Sequence, residues 1–297
     1  MILLITNWSD CLQSFDFLSQ RLSYFIDENT MQIMYKQIGK NNTGKNILDV
    51  GCGSGEMLKR LYHSNPDNFY YGIDIDEKSF VSTSNINILC GNAENLPFED
   101  DYFNFVYAIT VLSNCPNYSK IISEIYRVLN LGGKICIIDN YNHMPSATFK
   151  GVYPSEFNAS EYFLYDEIIF SLITKCQFYQ KNINHGIDVS LLPSVLYEVG
   201  FRKITAYSCG YFFSLSDNKY SNKQKQSILK SIVNNKKIVV KFFFSNNLIH
   251  INKKYINKYF ELLDEYQHFW ENNLNNNSIW EFFSGNNLMF IGEKDNE

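Results

Sequence analysis

The sequence predicts an α/β protein built on a doubly wound sheet, and three observations predict it. Between residues 45 and 140, short β-rich runs alternate with helical patterns, the arrangement of βαβ units that feed a parallel sheet. The stretches between those runs carry apolar residues at the 3.6-residue spacing of helices lying on a sheet. The first run passes directly into a glycine-rich turn that opens a helix, as at a ligand-binding edge of such sheets.

The elements follow in order. Runs at residues 46–50, 70–74, 86–90, 103–108 and 134–139 read as strands, and residues 56–64 and 118–129 as helices. Asn130-Leu131-Gly132-Gly133 is expected to end the second helix, with the glycine that a helix C-terminus favours. Beyond residue 140 the chain becomes aromatic and rich in asparagine, with helix-like stretches around residues 160–180, 219–234 and 252–275. Within it, residues 191–199, Gly200 and residues 201–207 read as helix, stop and strand, and residues 288–293 as one more strand. The asparagine excess is attributed to coding bias and given no function.

Composition narrows the class of protein. With 45% hydrophobic and 19% charged residues in 297, the chain is expected to fold as a globule with one good core and a substantial appendage. No apolar run approaches the roughly 18 residues of a membrane helix, and the opening Met-Ile-Leu-Leu-Ile-Thr lacks a basic leader, so neither a membrane nor an export signal is expected. Seven cysteines without a C-x-x-C pair predict neither a disulfide framework nor a zinc site, and hence no metal and a cytoplasmic setting. A net charge of −5 gives no footprint for phosphate backbones, the local run Asn235-Lys236-Lys237 aside, and no nucleic-acid partner is expected.

The strongest chemical signal is Asn46-Ile47-Leu48-Asp49-Val50-Gly51-Cys52-Gly53-Ser54-Gly55-Glu56. Glycine there permits backbone angles closed to other residues and lets the main chain approach a ligand beside the free N–H groups of a helix start. The dinucleotide fingerprint G-x-G-x-x-G would need glycine at position 56, where this chain has Glu56. Tyr71-Gly72-Ile73-Asp74-Ile75-Asp76 places an acid at the end of the second strand. Gly91-Asn92-Ala93-Glu94-Asn95-Leu96-Pro97-Phe98 follows the third.

That series resembles the class I S-adenosylmethionine-dependent methyltransferases, specifically over residues 46–139 and more weakly at 192–207 and 288–294. The resemblance implies a seven-stranded sheet whose last strands, at 201–207 and 288–293, form an antiparallel pair. It implies a cofactor site at Asp49, Gly51, Cys52, Gly53, Gly55, Asp74, Ile75, Asn92, Ala93, Glu94, Ala108 and Ile109. Asp74 matches the acid that accepts the ribose hydroxyls, and Asn92 stands where the family usually has Asp at the adenine edge. An amide there is expected to accept the adenine amino group through its oxygen. Relatives often have histidines near Leu112-Ser113-Asn114; this chain has none there, so no histidine role carries over.

The expected organisation is an N-terminal helical lid segment at 1–45 and a cofactor-binding core at 46–140. A cap insertion at 141–190, core again at 191–210, a second cap insertion at 211–286 and a final core strand at 287–297 complete it. Methyl transfer from a sulfonium chiefly requires alignment and exclusion of water, so a dedicated catalytic group is not obligatory. Candidate bases are His143, His185, Tyr141 and Tyr153. The aromatic groups Tyr211-Phe212-Phe213 and Phe242-Phe243-Phe244, with Trp270 and Trp280, are expected to pack the cap before they line a pocket. An amino-methylating nucleic-acid enzyme is disfavoured because no two prolines are adjacent. The expected acceptor is a small molecule or a peptide, with a non-catalytic scaffold of the same fold as the competing reading.

Overall fold

The computed structural model describes residues 26–39, 43–76, 85–140, 148–149, 153, 157–179, 187, 189–209, 211–276, 279, 281–285 and 287–295. The chain divides into two compact units. The first holds helix α1 (Glu28–Ile38), β1 (Asn46–Val50), α2 (Glu56–Ser64), β2 (Phe69–Asp74), β3 (Ile86–Cys90) and β4 (Phe103–Ile109). It continues through α3 (Tyr118–Val128), β5 (Leu129–Asn140), and, after an excursion, α5 (Leu192–Val199), β7 (Phe201–Ser208) and β10 (Asn287–Lys294).

These strands form one seven-stranded sheet in the order β3-β2-β1-β4-β5-β10-β7. β1 is parallel to β2 and β4, β2 to β3, and β4 to β5, while β10 runs antiparallel between β5 and β7. The order reverses between β1 and β4, the switch point outside whose carboxyl ends open α/β sheets bind ligands. β1 and β4 are apolar on both faces, as strands covered by helices on two sides must be. Leu48, Val50, Val106, Ala108 and Ile137 pack with Ile121, Ile125 and Val128 of α3 and Leu192 and Leu196 of α5. On the other face Ile47, Phe105, Tyr107 and Ile138 meet Met31 and Met34 of α1 and Met57, Leu58 and Leu61 of α2.

One expectation fails at the α3–β5 boundary. Helix α3 stops at Val128, and its cap residue Leu129 is already extended, so the glycines at 132 and 133 do not end the helix. They lie inside β5 instead. The pairing Phe103↔Leu129 gives way to Phe105↔Lys134, so β5 takes up three extra residues, and Gly132 supplies the positive φ of 74° within that irregularity.

The second unit holds β6 (Thr148–Phe149), α4 (Ala159–Tyr179), β8 (Tyr211–Phe213), α6 (Asn222–Ser245), α7 (Lys253–Asn273) and β9 (Phe282–Gly285). The three strands make a small sheet in the order β6-β9-β8. Helix α6 starts at a capping box between Ser221 and Gln224 and runs well past the expected end near 234. The basic run beyond that expected end is bound within the unit. Lys236 pairs with Asp166 at 2.7 Å and Lys237 with Asp264, so neither lysine is part of a free basic patch. Trp270 is fully buried and Phe243 nearly so, in keeping with cap packing.

Candidate functional site

The glycine turn is built by three different constraints. Gly51, Gly53 and Gly55 all have positive φ, of 73°, 50° and 71°. A Cβ on Gly51 would lie 2.4 Å from Val111 Cγ2, and one on Gly55 2.5 Å from Ile88 Cδ1, whereas one on Gly53 would meet nothing within 4 Å. The outer two glycines are therefore required by packing inside the protein, and the middle one faces open space. Gly51 and Cys52 donate their N–H groups to Ile73 O at 2.8 and 3.1 Å, which clips the turn to β2. Gly55 then begins α2 without any side-chain cap, leaving the first amides of that helix available.

Asp74, the last residue of β2, sits beside the turn. Its Oδ2 accepts Gly53 N–H at 2.8 Å and its Oδ1 accepts Asp76 N–H at 3.0 Å, so the carboxylate is fixed before a ligand arrives. Next to it Ile75 is 65% exposed, a bare apolar surface. Asn92 and Glu94 follow the carboxyl end of β3. Glu94 is clasped by Asn117 Nδ2 at 3.0 and 3.1 Å, and Ala93 packs on the core. The segment beyond them is tied down by Arg127, which donates to the carbonyls of Leu96 and Phe98 and to Asp100 and Glu124, while Glu124 accepts Leu96 N–H at 2.8 Å. The carboxylates of Glu124 and Asp100 hold the Arg127 guanidinium above its ordinary range.

Asp49 lies under the turn, 3% exposed. Burial raises its carboxyl well above the usual range, the nearby Asp74 charge adds to that, and the Tyr107 hydroxyl opposes it. That hydroxyl is buried and meets no partner at full hydrogen-bond geometry, so it approaches Asp49 without closing a bond. Ala108 is 1% exposed and lies within the sheet, Ile109 is half-buried, and the edge itself is formed by the residues after them. There Thr110 takes a φ of 56°, a left-handed conformation unusual for a β-branched residue. Ser113 donates through Oγ at 2.5 Å and through its backbone N–H at 3.0 Å to the two oxygens of Asp139, at the end of β5. Asn114 Nδ2 closes the turn onto Thr110 O at 2.8 Å.

Burial pushes the Cys115 thiol up to about 11, with further contributions from the carboxylates of Asp139, Glu94 and Asp74. Three carboxylates thus converge on this edge of the sheet. Neither Ser113–Asp139 nor the hold of Arg127 on Leu96, Phe98 and Asp100 was expected from sequence, because each joins residues 26 or more positions apart. Of the candidate bases, Tyr153 lies in the second unit, where its hydroxyl donates to Glu281 and burial raises its pKa. Tyr141, His143 and His185, and likewise Trp280, lie outside the described residues. Among the described residues no cluster of His, Cys, Asp and Glu could hold a metal ion, and no helix is long and apolar enough to cross a membrane.

The strand order, the antiparallel β10 and a glycine turn beside an acid at the end of β2 define the class I S-adenosylmethionine-dependent methyltransferase fold. Residues 48–137 match the family described as Methyltransferase domain, and this part of the chain is such a domain. Demethylmenaquinone methyltransferase of Lactococcus lactis is 30% identical over 169 residues, 54% of this chain and 66% of that one. The protein of the same name from Listeria welshimeri is 31% identical over 122 residues, 38% of this chain and 50% of that one. The chain therefore spans between half and two thirds of the length of these curated relatives. Among solved structures, a protein assigned as a methyltransferase of an antibiotic biosynthesis pathway in Anabaena variabilis shares the fold. Its TM-score is 0.53 at 14% identity, covering 90% of this chain and 98% of that one.

The cofactor of this class is S-adenosylmethionine. The residues present fit it: the unobstructed side of Gly53, the uncapped start of α2 and the preset Asp74 carboxylate form one continuous edge.

Proposed function

We propose that this chain transfers the methyl group of S-adenosylmethionine to a small-molecule acceptor, by O- or N-methylation in a specialised biosynthesis. The observation that carries the reading is the Asp74 carboxylate, locked by the Gly53 and Asp76 amides at the end of β2, one strand from the switch point of the sheet. In this reading Asp74 accepts the ribose hydroxyls, the backbone around Gly53 lies against the methionyl part, and Ile75 covers one face of the adenine. Asn92, Ala93 and Glu94 meet its edge, one strand further out. The carboxylates of Asp74, Glu94 and Asp139 set a negative field that suits a sulfonium. Bound there, the cofactor supplies a methyl group on an excellent leaving group.

The protein's own contribution is then alignment. The strained turn from Thr110 to Asn114, pinned to Asp139 through Ser113, is rigid where an acceptor must be presented; strain of this kind persists only where surrounding structure enforces it. The test is transfer of label from methyl-tritiated cofactor to panels of quinols, phenols, carboxylic acids and amines. Product formed by the wild type and lost with Asp74→Asn supports the reading. Tight cofactor binding with no transfer to any class would favour a scaffold.

A further inference from the structure

We infer that the cleft between α1 and α2 is a second ligand site, separate from the cofactor edge. It takes a small molecule that carries a carboxylate or phosphate on an apolar body, with Arg60 holding the anion. The inference goes beyond the proposed function and does not depend on it.

The cleft has a volume of about 570 Å³, inside the roughly 300–1,000 Å³ range of small-molecule sites, and it belongs wholly to the first unit. Helix periodicity builds its walls. Thr30, Met31 and Met34 turn one face of α1 into the core, which leaves Glu28, Gln32 and Tyr35, at i, i+4 and i+7, on the cleft side. Arg60 and Ser64 of α2 face them, over a floor of Leu61 and Tyr70. Tyr70 Oη donates to Asn65 O at 2.7 Å, and the hydroxyls of Tyr35 and Ser64 share a hydrogen bond of 2.5 Å that ties the two helices together. The cofactor edge lies at the start of α2 and shares no residue with this cleft.

The charge balance of the cleft points to an anion. A guanidinium presents five N–H donors in a rigid fork. Arg60 is half-buried and donates through Nη1 to Ile26 O at 2.9 Å, and no carboxylate of the described residues pairs with it. Arg127, in the same unit, shows the satisfied state, bonded to two carboxylates and two carbonyls. Lys59, next to Arg60, has Glu56 at 3.6 Å. Glu28, the carboxylate on the opposite wall, accepts Gln32 Nε2 at 2.7 Å and forms no ion pair with Arg60. A partly desolvated guanidinium without a counter-charge matches the paired oxygens of a carboxylate or phosphate. The Tyr35 and Ser64 hydroxyls add polar partners, and Leu61 and Ile38 offer apolar surface to the rest of the molecule.

The experiment is a saturation-transfer NMR titration of the full-length protein with phenyl phosphate, benzoate and the neutral benzyl alcohol, each with and without excess S-adenosylhomocysteine. At least one of the two anions is expected to saturate in the millimolar range, the scale for ligands of this size, and the better of the two names the anion. Benzyl alcohol is expected to bind roughly tenfold more weakly, and Arg60→Gln to lose roughly tenfold of the anion affinity, as loss of a charge-assisted bond implies. Because Arg60 also holds Ile26 O, Gln32→Trp is the second variant: it fills the cleft from an exposed position, leaves that contact in place, and is expected to abolish saturation. Failure of both anions to saturate by about 10 mM overturns the inference, as does benzyl alcohol binding equally well, or either folded variant binding as the wild type does. Displacement by S-adenosylhomocysteine would put the anions on the cofactor edge and overturn it too. A protein that binds the anions but not S-adenosylhomocysteine would keep this site and lose the proposed function.

Discussion

Asp74 engages both carboxylate oxygens with backbone amides, and so acts on the turn as well as on any ligand. Asp74→Asn keeps the size but can accept only through one oxygen; affinity for S-adenosylhomocysteine should fall by about 10- to 100-fold, as loss of charge-assisted bonds implies. The glycines separate packing from binding. Gly55→Ala meets Ile88 at a positive φ and should lower unfolding stability by about 2 kcal/mol or more, whereas Gly53→Ala carries only the backbone strain of about 1 kcal/mol and should act mainly on ligand affinity. Denaturant unfolding beside calorimetry distinguishes the two, and equal stability losses would contradict the assignment. Asp139→Ala strands the Ser113 N–H and hydroxyl and should cost about 1–3 kcal/mol. At this scale the site was legible where chemistry is local in sequence, as in the glycine turn and the acid ending the next strand. Ser113–Asp139 was not, because a serine and an aspartate 26 residues apart carry no shared pattern until β4 and β5 are paired.

Among the elements, the parallel strands and their helices were legible because apolar runs bounded by turns leave few alternatives. The boundary at Leu129 was not, since Gly132-Gly133 suits a helix stop and a strand irregularity equally well, and only the register against β4 decides. Of the small sheet of β6, β8 and β9, only Tyr211-Phe212-Phe213 of β8 stood out, as an aromatic cluster; strands of two to four residues have no periodicity to detect. Helix α6 ran on through Lys236 and Lys237 because their carboxylate partners come from α4 and α7. Beside them, Glu281 is 1% exposed and accepts from Tyr153, from Tyr266 at 2.7 Å and from Trp270 Nε1 at 3.2 Å. Burial raises its carboxyl above the ordinary 4.5, so the protonated form is favoured in the fold. Its contribution to stability is therefore complete below pH 4.5 and is lost as pH rises through the raised value. The melting-temperature difference between wild type and Glu281→Gln should shrink on going upward from pH 4.5; a difference constant with pH would contradict this.

At the scale of the whole molecule, two compact units predict two separable responses in scanning calorimetry. S-adenosylhomocysteine at 100 times its dissociation constant should stabilise the seven-stranded unit by about 2.7 kcal/mol. Glu281→Gln should shift the other unit. One transition moved alike by both would show that the units unfold together. The family match covers residues 48–137, which is why a candidate cofactor edge could be proposed from sequence and an acceptor could not. The most direct test of the central claim is isothermal titration of the folded chain with S-adenosylhomocysteine, wild type against Asp74→Asn. Saturable one-site binding that weakens by about 10-fold or more in the variant is the predicted result; no binding by the folded wild type, or binding indifferent to Asp74, would contradict it.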